Sequence, residues 1–154
     1  MKTGLKYFVP VTLITMALAW ACEQIAALLG IELPQQDLVL FFTSPKVPMA
    51  RKLVIGAIAL FVCPPIEELI FRKFLHRWVL RRWMGFWMAA AISGVVFAAV
   101  HLNLATFIPL LFLGVAFAWL YEKDGRLMAS ITCHFLFNLT NLIFCFIALL
   151  LETA

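Results

Sequence analysis

Residues 51–80 read RKLVIGAIALFVCPPIEELIFRKFLHRWVL. From Leu53 to Cys63 no side chain is charged, and beyond two prolines the apolar character resumes around Glu67, Glu68, Arg72 and Lys73. About 20 apolar residues are needed to cross a hydrocarbon core of about 30 Å, and this run is long enough. In lipid every backbone polar group must be satisfied within the segment or a closed barrel. Barrel strands alternate apolar and polar residues, whereas this run is continuously apolar, so it is a helix. Proline removes a backbone donor and crowds the preceding turn, so Cys63-Pro64-Pro65 predicts a kink or a fresh helix start.

The rest of the chain agrees. Of 154 residues, 65% are hydrophobic and 13% charged, with a mean hydropathy of +1.03. Soluble domains hold roughly 45–50% apolar and about 25% charged residues. An apolar run over 7–29 follows Lys2 and Lys6; it is too long for a signal-peptide core and contains Glu23, so a retained membrane helix is expected. Residues 31–50 read as a loop with a short interfacial helix. Further helices are expected over 83–100, 106–121 and 127–150, with Glu122 to Arg126 as a polar turn. The expected fold is all-α: a polytopic transmembrane bundle of about five helices, one integral membrane domain over 1–154. Within it 50–145 forms the core and helix 7–29 is accessory.

Lys2, Lys6, Arg72, Lys73, Arg77, Arg81, Arg82, Lys123 and Arg126 fall on one side of that layout, against Lys46, Arg51 and Lys52 on the other. The positive-inside rule then gives N-in, C-out. The net charge of +4 thus reflects topology and does not point to nucleic acid. Cys22, Cys63, Cys133 and Cys145 lie in apolar segments without CxxC spacing and read as packing residues. Cys133 adjoins His134, but successive helix positions point about 100° apart, which argues against a Cys–His pair.

A charged side chain near the bilayer centre costs about 2.5–3.5 kcal/mol on insertion scales, so the polar residues inside these runs need reasons. Glu68 and Arg72 are four apart and share a helix face, with Glu in the favourable N-terminal position for an ion pair. Glu67 points elsewhere, has no local partner, and is available as a general base. Phe97 and His101 share a face, as do His134 and Asn138. Asn103 and Asn141 are weaker candidates. The plain alternatives are an interfacial histidine for His101 and interhelical hydrogen bonding for His134 and Asn138. His76, among Lys73, Arg77, Arg81 and Arg82, reads as part of a solvated basic face. Peptide hydrolysis needs an activated water, a group to orient it and donors for the oxyanion; a glutamate, a histidine and a His/Asn pair supply those parts. By chain count His101 lies on the far side from Glu67 and His134, so a tilted or broken helix must bring them together.

Glu67-Glu68-x-x-x-Arg72, Phe97-x-x-x-His101 and His134-x-x-x-Asn138, in that order, resemble the three motifs of the CPBP family, which includes the type II CAAX prenyl endopeptidases and bacteriocin-processing proteins. Pro65-Ile66 and Gly114 with Asp124-Gly125-Arg126-Leu127 are similar too. The resemblance covers residues 50–145. It implies a glutamate-type endopeptidase in the bacterial inner membrane that cleaves near the C-terminus or membrane anchor of a protein or peptide substrate. Glu67 and His101 would activate water, His134 and Asn138 would stabilise the oxyanion, and Glu68, Arg72 and Phe97 would support the site. No cofactor is the preferred expectation, although Glu67, His101 and His134 could also hold zinc. Two other classes stay open: a non-enzymatic immunity or partner-binding protein that keeps the site as a polar helix lock, and a proton or ion pathway.

Overall fold

The computed structural model describes residues 1–153, and they form helices joined by short connections. In chain order these are α1 (Lys2–Leu28), α2 (Asp37–Thr43), α3 (Met49–Arg82), α4 (Phe86–Ala99), α5 (Phe107–Asp124) and α6 (Leu127–Thr153). No strand occurs among the described residues. Helices α1, α3 and α6 are long and apolar enough to cross a membrane, and α4 is a shorter apolar helix. Helix α5 has 18 residues and carries Glu122, Lys123 and Asp124 in its last turn before Gly125, whose φ of 70° ends it. The helix expected within 31–50 is α2.

Proline does not end α3. The α-helical segment Cys63–Glu68, with its prolines at the start, is flanked by π-helical stretches over Ile58–Val62 and Leu69–Val79. The consequence is a buried stripe at steps of four: Lys52, Gly56, Leu60, Pro64, Glu68, Arg72 and His76. In a regular α-helix of 3.6 residues per turn such a stripe drifts by about 40° per step. The wider i→i+5 turns offset that drift and keep the stripe facing the protein. His76 is therefore fully buried, not part of a solvated basic face. Its ring lies edge-on to Phe86, 5.6 Å between centroids.

Small residues let α4 and α5 approach closely, as is usual between membrane helices. A Cβ on Gly114 would lie 2.6 Å from the Gly94 Cα, backbone against backbone. We expect Gly114→Val to destabilise the protein by at least the upper end of the about 1–3 kcal/mol typical of overpacking. Gly85→Ala, which meets nothing within 4 Å, should be near neutral; denaturant unfolding in detergent compares the two.

The 14 residues of α4 span about 21 Å, less than a hydrocarbon core of about 30 Å. The residues that chain count separates nevertheless meet: the Phe97 ring near the end of α4 touches both His101 and His134. At the other end of α4 the charged groups gather. Arg77 and Arg81 reach Glu122 at 3.0 and 3.3 Å, Thr3 donates to Asp124, and Lys6 and Lys123 both flank the Tyr7 ring. The start of α1, the end of α3 and the α5–α6 turn therefore share one basic, aromatic-rich end. Above it, Val11, Phe71, Phe97, Leu113, Phe117, Leu120 and Cys133 form the apolar core, with α1 contributing directly and Cys133 as a packing residue.

Candidate active site

Glu68 anchors the site. It is fully buried, with Oε2 3.3 Å from Arg72 Nε and Oε1 3.1 Å from His134 Nδ1. The i,i+4 pair expected from sequence is formed. Arg72 is also fully buried, and its guanidinium is enclosed by the rings of Phe97, Phe117 and Phe71 at 4.3, 5.2 and 5.8 Å. Its Nη1 and Nη2 have no hydrogen-bond partner among the described residues. The aromatic faces offset part of that loss through cation–π attraction.

His134 links the two carboxylates. Its Nδ1 meets Glu68, and its Nε2 lies 3.6 Å from Glu67 Oε2. An ionised carboxylate only accepts hydrogen bonds, so Nδ1 carries a proton and Nε2 is the ring atom turned toward Glu67. Phe117 stacks on the imidazole, 4.8 Å between centroids and 24° between planes. Glu67 is half-buried, and 3.6 Å is beyond hydrogen-bonding range, so its carboxylate is not committed to His134.

Asn138, one turn beyond His134, also faces α3: its Nδ2 donates to the Ala59 carbonyl at 3.0 Å. His101 lies at the rim and is exposed. Its Nδ1 is 2.7 Å from the Phe97 carbonyl, which can only accept, so Nδ1 is the protonated nitrogen and Nε2 is left as an acceptor. Phe97 joins the two histidines, its ring 4.8 Å from His101 and 6.0 Å from His134. The structure thus places Glu67, Glu68, Arg72 and His134 in one cluster, with Asn138 a turn away and His101 held beside it through Phe97. The turn after His101 puts Leu102 at φ 52°, a conformation costly for a side chain of its type.

Sequence reasoning missed Phe117, Phe71 and the Ala59 carbonyl. Among so many phenylalanines nothing marks the two that touch the site, and a backbone carbonyl carries no side-chain signal. Asn103 instead holds its own loop, its Oδ1 accepting from the Thr106 N–H, and Asn141 donates back to the Phe137 carbonyl. Neither belongs to the cluster. Among the described residues no three His, Cys, Asp or Glu side chains gather in a way that could hold a metal ion.

Over 144 residues the chain is 28% identical to the membrane-embedded CAAX protease MroQ of Staphylococcus aureus (strain USA300), a match covering 89% of this chain and 58% of that protein. It is 34% identical over 77 residues to YdiL of Bacillus subtilis (strain 168), named as a candidate membrane peptidase, covering 50% of this chain and 31% of that one. The chain therefore spans less than three-fifths of the length of these curated relatives. No solved structure matches. Residues 49–140, which hold every motif above, match the family model described as type II CAAX prenyl endopeptidase Rce1-like, and the chain belongs to that family.

Proposed function

We propose that this membrane protein is a glutamate-type intramembrane endopeptidase that hydrolyses a peptide bond near the C-terminus or membrane anchor of its substrate, without a metal. The observation that carries the reading is His134 between two carboxylates, with Nδ1 held by Glu68 and Nε2 turned toward the uncommitted Glu67. Glu67 takes a proton from the attacking water, which His101 Nε2 orients, and returns it to the amine nitrogen as the tetrahedral intermediate collapses and the C–N bond breaks. Nε2 of the protonated His134 ring and the second Nδ2 hydrogen of Asn138 donate to the oxyanion, the usual source of rate in acyl-group hydrolysis. Arg72 and Glu68 fix His134. The basic end of the bundle faces the cytoplasm of a bacterial inner membrane, with α1 starting inside.

The test compares membrane-protein termini by mass spectrometry in host cells carrying wild type or Glu67→Gln at equal abundance. Termini present only with wild type are expected and would identify the substrate. Identical termini from two folded proteins would overturn the proposal in favour of a binding or immunity role.

A further inference from the structure

The Ala59 carbonyl that holds Asn138 is available because of a proline. In the π-helical register of Ile58–Val62 this carbonyl would accept from residue 64, five positions on. Residue 64 is proline and has no N–H. The α-helical alternative is residue 63, but the Cys63 N–H is given to Ile58. Pro64 is fully buried on the stripe of α3 that faces the protein. A buried carbonyl without a donor is costly, and Asn138 relieves the cost by donating Nδ2–H at 3.0 Å.

Resting on the oxyanion role proposed for Asn138, we infer that Pro64 is a positioning residue, which frees the Ala59 carbonyl to orient the Asn138 amide for catalysis. A carbonyl accepts and never donates, so it selects the nitrogen end of the amide for the α3 side. With one Nδ2 hydrogen on Ala59, the plane of the amide is fixed and the second hydrogen has one direction left. Catalytic donors act through such preorganisation, because no reorientation is needed as charge develops. Pro65 makes a useful contrast: an N–H restored there lies six positions beyond Ala59, out of register for its carbonyl.

In Pro64→Ala the new N–H takes the Ala59 carbonyl, and the Asn138 amide is released. The experiment measures cleavage of an internally quenched peptide copied from the junction that the terminus comparison reveals, by full-length protein in proteoliposomes. Pro64→Ala is expected to lower kcat by about tenfold or more, short of the about 10²–10³-fold cost of losing an oxyanion donor outright, with KM unchanged. In an Asn138→Ala background Pro64→Ala should cause no further loss, since the amide it acts through is gone. Pro65→Ala should turn over like wild type.

Wild-type kcat in Pro64→Ala, or equal losses in both backgrounds, would overturn the inference. If Asn138→Ala itself turned over like wild type, the oxyanion assignment would fail instead, and the two failures are distinguishable. A readout without substrate covers a variant that is folded but inactive for other reasons. The two Nδ2 proton resonances of Asn138, one hydrogen-bonded and one free in wild type, should move together in Pro64→Ala and stay apart in Pro65→Ala. Unchanged resonances in Pro64→Ala would also sink the inference.

Discussion

Glu67→Gln is expected to lower the turnover rate by about 10²–10⁴-fold, the usual contribution of a general base, without changing the unfolding midpoint in detergent. Both halves of that result follow from the geometry. Glutamine matches glutamate in size and keeps a polar oxygen, but it cannot take a proton from water. The carboxylate it replaces is half-buried and stands 3.6 Å from His134 Nε2, so no hydrogen bond of the fold is broken. A polar lock between helices makes the opposite forecast: it tolerates glutamine, which offers a donor and an acceptor, and the variant keeps wild-type function. Turnover by purified Glu67→Gln within a few-fold of wild type would therefore remove Glu67 from the mechanism.

The motif pairs were legible in the sequence because neighbours four apart stay together at all three places, even where Arg72 enters the π-helical stretch and His101 follows the end of α4. Glu68–Arg72, Phe97–His101 and His134–Asn138 each share a face, and the first makes the expected ion pair. His76 shows where the α-helical count fails. Eight residues after Glu68, a regular α-helix would turn it about 80° away, among exposed arginines. The stretch Leu69–Val79 is π-helical, and His76 stays in line with Glu68 and Arg72 on the buried stripe. Residue type does not announce a π turn, although two adjacent prolines mark a place where the regular ladder must break. The depth mismatch of His101 was likewise real on a count that ran the third segment to Val100 as a full crossing. The helix is shorter, 14 residues from Phe86 to Ala99, and the Phe97 ring brings His101 beside His134.

Arg72→Met should destabilise the protein by about 3–5 kcal/mol, because removing one partner of a buried ion pair leaves the other charge uncompensated. Glu68 is the charge left behind, fully enclosed, with His134 Nδ1 and the Ser130 hydroxyl to face but no cation of the arginine kind. The substitution has a second consequence: three aromatic rings lose the cation they enclose. The double variant Glu68→Gln/Arg72→Met separates these causes. It removes both charges while keeping an oxygen for His134 Nδ1, and replacing both members of a buried pair is often near neutral, so most of the lost stability should return. Activity should not return with it. A neutral amide can present either its oxygen or its nitrogen to the imidazole, so Nδ1 is no longer obliged to hold a proton and Nε2 no longer has a fixed role beside Glu67. Unfolding midpoints and turnover measured on the single and double variants thus move apart if the pair exists to fix His134. If the double variant regained both stability and turnover, the pair would be packing alone, and the orientation of His134 would have to come from the stacked Phe117.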